Sequence, residues 1–294
     1  MKVIASSLCR IYYGTTADGL QRAVDALGSS SVFIICDENT RVFCLPKLNV
    51  SDDDVQVIVI PSGELNKNLN SCQSIWSSLI EKGADRESVV LNLGGGVICD
   101  MGGFAAACYQ RGIRFAHIPT TILAMSDAAI GGKLGVDHDG FKNYVGLIQN
   151  PDFIWIDPVF IETLPPLELI SGLSEIVKHA IIGSERLWDI LSGIKTVNTI
   201  RWEEILEESI SVKVKIVEND MREHGLRKVL NFGHTIGHAL ESFYLSSRIG
   251  MTHGQCVALG MLVEAKIAAS IGLLNTSDFE DITASISGLL SPEV

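Results

Sequence analysis

The chain has 294 residues, 47% of them hydrophobic and 20% charged, with a formal net charge of −12 and a pI near 5.0. That length exceeds one ordinary core and suits two domains, while the acidic balance argues against nucleic acid and anionic membrane as partners, since both reward a basic face. Seven cysteines (Cys9, Cys36, Cys44, Cys72, Cys99, Cys108, Cys256) form an odd set without a C-x-x-C, several of them in apolar runs; this reads as reduced thiols in a cytoplasmic protein. The N-terminal MKVIASSLCRIYYG lacks the apolar core of a signal peptide, and no segment has the ~20 uninterrupted apolar residues of a membrane span.

Up to about residue 160, short β-branched runs alternate with helical patterns. SVFIICD, VQVIVIPSG, SVVLNLGGG and FAHIPTT read as strands and LNSCQSIWSSLIEKG as a helix, the signature of βαβ units on a parallel sheet. Gly94, Gly95 and Gly96 fall between an apolar strand and a helix, where backbone N–H groups can approach a phosphate and the helix N-terminus adds its dipole. The spacing is not G-x-G-x-x-G, and a tight turn is the plainer reading, but Asp100 and the Thr120-Thr121 pair sit where a sheet's carboxyl edge would meet a dinucleotide. SDAAIGGKLGVDHDGFKN, from Ser126 to Asn143, reads as a glycine-flexed loop bringing Lys133 and Lys142 onto an anionic or hydroxyl-rich ligand. Lys178, Lys213, Arg227 and Arg111 recur in other glycine- or histidine-linked motifs.

Beyond residue 160 the periodicity is helical throughout: DPVFIETLPPLELISGLSEIVKHAII, RWEEILEESISVKVKIVEND, the stretch bearing NFGHTIGHALES, and CVALGMLVEAKIAASIG. His234 and His238, four apart, share a helix face, and His253 opens the next apolar run. With Glu175 from a third helix, neutral imidazoles and one carboxylate suit Zn²⁺ with an open position, although a lone H-x-x-x-H is more often a pair of surface histidines. Arg227, Asn231 and His234 are expected on one face of one helical stretch. The expected architecture is an α/β nucleotide-binding domain with a parallel sheet over residues 1–160 and an all-α metal-binding domain over 161–294, with the ligand cleft between them.

GELNK, GGGVICDMGGF, YQRGIRF, IPTTILAMSDAAIGGKLGVDH, GFKN, LPPLELISGLSEIVKHAII, HGLRKVLNFGHTIGHALE and HGQCVALGM, in that order, resemble the dehydroquinate synthase family from about Phe33 to Leu274. The resemblance implies an NAD-binding α/β domain joined to a helical metal-binding domain, in a homodimer. It implies that Glu175, His234 and His253 bind a divalent metal, Zn²⁺ or Co²⁺, and that His238 faces substrate. Asp37, Glu64 and Lys67 match positions around the adenosine half of NAD. Gly95, Gly96, Asp100, Thr120, Thr121 and Thr163 match its pyrophosphate and nicotinamide half. Lys133 and Lys142 match both cofactor and active-site positions, and Asp127, Asn143, Lys178, Lys213, Arg227 and Asn231 match the rest of the active-site lining. Arg111 matches a residue that reaches the substrate phosphate from the neighbouring subunit.

The implied substrate is a small sugar phosphate, 3-deoxy-arabino-heptulosonate 7-phosphate, converted through transient oxidation, phosphate elimination and aldol closure to 3-dehydroquinate. Related cyclases acting on sugar phosphates without a carboxylate, a metal-dependent NAD polyol dehydrogenase, and a non-catalytic NAD-binding module are the alternatives. The cations Lys213 and Arg227, with Asn231, favour the carboxylate-bearing substrate. Three departures stand out: Cys99 replaces a glycine near the approach to the cofactor phosphates, where its small thiol is expected to be tolerated; the sequence to Val294 shows no Asp-Lys-Lys stretch, and weaker phosphate binding is expected if the protein lacks one; and Met1 to Leu20 carry little of the family pattern.

Overall fold

The computed structural model describes residues 1–48, 55–192, 194, 199–247 and 251–290. Two compact units divide the chain, Met1–Thr163 and Leu164–Val294.

The first unit is built on a seven-stranded sheet in the order β1-β2-β9-β6-β5-β3-β4. Its strands are β1 (Lys2–Ile4), β2 (Arg10–Tyr13), β3 (Val32–Asp37), β4 (Gln56–Ile60), β5 (Val89–Gly94), β6 (Arg114–Pro119) and β9 (Phe153–Ile156), and all pairings are parallel except β1 with β2. β5 and β9 are buried along their whole length, which is why neither alternates apolar with polar residues. Short helices α1 (Leu20–Asp25) and α2 (Glu38–Phe43) and the longer α3 (Leu69–Glu81) and α4 (Gly96–Cys108) connect them. α3 buries Cys72, Ile75 and Leu79, and α4 buries Ile98, Met101, Phe104 and Ala105, in one core with Phe33, Ile35, Ile58 and Val90 of the sheet.

From β3 the chain moves outward to β4, and from β5 it moves the other way to β6. The order therefore reverses between β3 and β5, and in an open α/β sheet the carboxyl ends flanking that reversal form the usual ligand crevice. Asp37 ends β3 and Gly94 ends β5.

The stretch expected as a glycine-flexed loop is ordered. A single π-type turn over Ala124–Ala128 leads to an antiparallel hairpin of β7 (Lys133–His138) and β8 (Phe141–Ile148). Gly131 and Gly132 adopt φ of 104° and 65° just before β7, and Asp139-Gly140, φ 49° and 81°, supplies the two left-handed residues of the hairpin turn. The glycines were legible as breakers, whereas the alternation within KLGVDH, whose Leu134 and Val136 bury against the α3–α4 core, is what makes the segment a strand. β1, β2 and β9 are likewise strands that the periodicity did not reveal; the first two are only three and four residues long.

The second unit is helical among its described residues: α5 (Pro166–Gly183), α6 (Glu185–Ser192), α7 (Trp202–Asn219), α8 (His234–Ser247), α9 (His253–Ser270) and α10 (Thr276–Leu290). Pro166 occupies the first turn of α5, where a missing N–H is harmless. A capping box between Thr252 and Gln255 starts α9 at His253. Among the described residues no helix is long and apolar enough to cross a membrane.

Candidate active site

Glycine brings the metal-type residues together. A Cβ added to Gly254 of α9 would lie 2.2 Å from the Ser171 carbonyl oxygen of α5, and one added to Gly260 would lie 1.9 Å from the carbonyl oxygen of Gly233. Gly237 of α8 would meet Val257 Cα at 3.0 Å. Backbone thus approaches backbone at three places, drawing α8 and α5 onto α9 close enough for short side chains to converge.

What converges is Glu175, His234 and His253, whose ligating atoms all lie within 4.8 Å of one another. The Nε2 atoms of His234 and His253 stand 3.5 and 3.7 Å from Glu175 Oε1. Their Nδ1 atoms face oxygen acceptors instead, the Phe232 carbonyl at 3.3 Å and the Glu241 carboxylate at 3.3 Å. A neutral histidine that donates Nδ1–H keeps its lone pair on Nε2, so in their neutral forms both rings aim a lone pair at one point beside a carboxylate. This donor set, two imidazoles and a carboxylate, fits Zn²⁺ or Co²⁺ with room for substrate oxygen. The second oxygen of Glu175, which is 0% exposed, is held by the Lys178 ammonium, itself 1% exposed.

Burial works against charge on His253, but hydrogen bonds to Glu175 and Glu241 and their negative charges outweigh it and push its pKa up to about 9. Without metal the ring is therefore protonated at neutral pH, an ion-pair contribution to the fold that is complete below the ordinary imidazole range and lost as pH rises through about 9. Divalent metal must displace that proton. Apparent zinc affinity is expected to climb by up to about tenfold per pH unit toward pH 9 and to level off above it. Calorimetry in buffers of differing ionisation enthalpy should count close to one proton released per zinc at pH 7.5; none released would contradict the charged ring.

The remaining cations of this unit are deeply set. Lys213 of α7 is 6% and Arg227 2% exposed. Arg227 does not share a helix with His234, contrary to expectation. Leu226–Asn231 is a 3-10 segment, and Phe232 (φ −55°, ψ 125°) and Gly233 (φ 81°) break the chain before α8 begins. The break exists because Gly233 must pass over Val257 and Met261 of α9, where an added Cβ would lie 2.5 Å from Met261 Cγ. Asp220 fixes the segment by accepting from the backbone N–H groups of His224, Gly225 and Arg227, and Arg227 Nη1 donates to the Met221 carbonyl at 2.6 Å. Asn231 Nδ2 donates to Glu223 at 2.6 Å, and His238 is exposed, its ring 5.1 Å from that of His234.

In the first unit Gly95 caps α4 and Gly96 opens it. Thr120 N–H donates to the Gly94 carbonyl, placing Thr120 and Thr121 beside the glycines, and a Cβ on Gly95 would meet Thr121 at 3.1 Å. Asp37 is engaged as the N-cap of α2, its carboxylate accepting from Thr40 N–H and hydroxyl. Lys67 is 4% exposed and donates to Asp100 Oδ2 and Asn143 Oδ1, both at 2.6 Å. Burial alone would lower its pKa; Asp100, with Glu64 and Asp137, holds it above the ordinary lysine value. Lys142 lies 3.5 Å from Glu64, and Thr163 bonds back to the Phe160 carbonyl at 2.7 Å. GELNK, the head of α4 and the hairpin are thus one network. Lys133 is exposed at the start of β7, Asp127 lies half-buried in the π turn, and Arg111 is exposed with φ 71°. Cys99 is fully buried in α4, its thiol 3.8 Å from the Gly94 carbonyl.

Glu241 was missed in the sequence. It lies seven residues after His234, two helical turns on, so the period that joined His234 to His238 already placed it near that face.

Comparison with known proteins places this arrangement in a class. A 2-deoxy-scyllo-inosose synthase solved with carbaglucose-6-phosphate, NAD⁺ and Co²⁺ superposes with a TM-score of 0.86 at 25% identity, covering 98% of this chain and 83% of that one. A 2-epi-5-epi-valiolone synthase from Streptomyces hygroscopicus subsp. jinggangensis 5008, with NAD⁺ and Zn²⁺ bound, gives 0.84 at 25% identity, covering 100% and 84%. The fold is that of the sugar-phosphate cyclases. Family models described as 3-dehydroquinate synthase N-terminal and C-terminal match residues 57–171 and 172–293. A 3-dehydroquinate synthase of Parabacteroides distasonis is 41% identical over 249 residues, 83% of this chain and 70% of that protein. The chain belongs to the 3-dehydroquinate synthase family.

Proposed function

We infer that the chain converts 3-deoxy-arabino-heptulosonate 7-phosphate to 3-dehydroquinate and phosphate, as a lyase of the shikimate pathway using catalytic NAD and a divalent metal. The convergence of the His234 and His253 Nε2 atoms on Glu175, in a chain matched by both halves of the family, carries this reading. Glu175, His234 and His253 are assigned the metal. Asp37, Glu64, Lys67, Gly95, Gly96, Asp100, Thr120, Thr121 and Thr163, with Lys133 and Lys142, are assigned NAD. When bound, NAD supplies reversible hydride transfer and the metal supplies Lewis acidity toward substrate hydroxyl oxygens.

The chain's own residues bind and orient. Lys178 neutralises the outer oxygen of Glu175, and Lys213 and Arg227 are buried cations suited to an anionic substrate. His238, exposed beside His234, is the group assigned to proton exchange with substrate. Asp127, Asn143 and Asn231 complete the proposed lining. The homodimer, with exposed Arg111 serving the neighbouring subunit's phosphate site, and a cytoplasmic setting belong to the same proposal.

The deciding experiment incubates the chain with the heptulosonate phosphate, NAD and Zn²⁺ and follows phosphate and dehydroquinate together. Both should appear in equal amounts without net NADH, because hydride taken is returned. NADH growing in step with substrate loss would indicate a polyol dehydrogenase instead. Arg227→Lys separates the substrate classes. Lysine keeps the charge but loses the two-pronged donor, whose Nη1 is held by the Met221 carbonyl while Asp220 holds the backbone N–H of the same residue. Losing a charge-assisted pair costs on the order of 1.5–3 kcal/mol, roughly ten- to a hundredfold in kcat/KM. NAD and zinc affinities should hold. Unaltered kinetics would mean that Arg227 does not read the carboxylate, and would favour a cyclase for a substrate lacking one.

A further inference from the structure

The two histidines beside Glu175 are supported differently. Nδ1 of His234 faces a backbone carbonyl, whereas Nδ1 of His253 faces the carboxylate of Glu241 at 3.3 Å. Glu241 lies on α8 and is only 8% exposed. A carboxylate buried to that degree is tolerated when hydrogen-bonded to a donor, and the imidazole N–H of α9's first residue is within reach.

We propose that Glu241 is a positioning residue for the metal site: it accepts the Nδ1–H of His253, fixing the ring's tautomer and rotation so that Nε2 faces the point beside Glu175. The inference rests on Glu175, His234 and His253 being the ligands, and adds a residue that does not touch the ion. A neutral imidazole has one N–H and one lone pair, so an acceptor at Nδ1 leaves the lone pair on Nε2. A carboxylate acceptor also makes the ring a stronger donor than a carbonyl does. Because Glu241 belongs to α8 and His253 to α9, the contact ties the two ligand-bearing helices together through side chains, in addition to the glycine approaches at Gly237 and Gly260. The rival is that Glu241 is itself a ligand, since donor atoms of His238, Glu241 and His253 also lie within 4.8 Å of one another.

The test uses the full chain stripped of metal, with Zn²⁺ titrated against a chromophoric chelator for the unaltered protein, Glu241→Gln and Glu241→Ala. One equivalent of zinc is expected in all three. Alanine should raise the zinc Kd by roughly 10–100-fold. Glutamine keeps an acceptor oxygen without the charge, so its loss of zinc affinity should be smaller than that of alanine. Substituted Co²⁺ should show a shifted d–d spectrum in the alanine variant. An unchanged zinc Kd in both variants overturns the proposal. So do two equivalents in the unaltered protein falling to one in both variants, which would make Glu241 a ligand. Full zinc retention after His253→Ala would instead refute the ligand assignment, and the proposal with it.

Discussion

Zinc added to a His253→Ala chain should find no stoichiometric site. The substitution removes one of three donors whose ligating atoms lie within 4.8 Å of one another and leaves Glu175 and His234 alone. The loss should exceed the roughly 10–100-fold typical of losing an outer partner of a metal ligand, and turnover should vanish with the ion. The fold should survive, because His253 sits at the start of α9, only partly buried, and the Thr252–Gln255 capping box does not involve its side chain. Metal analysis after dialysis, with circular dichroism as the check on folding, decides it. Full occupancy in the variant would move the metal elsewhere.

Gly260→Ala should damage both stability and metal binding, although it touches no ligand. The new methyl would sit 1.9 Å from the Gly233 carbonyl oxygen and 2.9 Å from Gly237 N–H, both backbone, so no rotamer change can relieve it. α8 must back away from α9, carrying His234 from Glu175. Overpacking of this kind costs about 3 kcal/mol or somewhat more, which is roughly 6–12 °C in Tm for a chain of this size, and zinc should bind more weakly at every pH. Gly288→Ala in α10 is the control: nothing lies within 4 Å of its added Cβ, and alanine favours helix over glycine by about 0.5–1 kcal/mol. A Gly260→Ala protein melting with the unaltered one would mean that the helix crossing is looser than described.

Much of this was legible because it rests on local chemistry. The alternation of buried runs with helical patterns gave β3 through β6, since a parallel sheet covered on both faces leaves the same apolar signature wherever it occurs. The glycine turn before α4 and the histidine spacing were legible for a similar reason: each places its atoms within a turn or two of chain. What stayed hidden depends on neighbours distant in sequence. The Phe232-Gly233 break answers to the surface of α9, some twenty-five residues further on, and so Arg227 left the helix to which periodicity assigned it. The hairpin carrying Lys133 and Lys142 is a strand pair because Leu134 and Val136 find a core supplied by α3 and α4. Glu241 carried a positional signal, but its use appears only once α9 brings His253 alongside.

Lys67 joins the head of α4 to the outer hairpin through a single buried charge. Phe141, Tyr144 and Ile148 of β8 are exposed, so the hairpin is held from its inner side, by Leu134 and Val136 in the core and by Asn143, itself braced at φ 53° by the Asp137 carboxylate. An ammonium shared between two acceptors makes their energetics reciprocal: a ligand that draws Asp100 toward itself strengthens or weakens the grip on Asn143 by the same free energy with which the hairpin acts back on the ligand. A ligand held against Asp100 would therefore be coupled to the hairpin by a link lying wholly within the first unit.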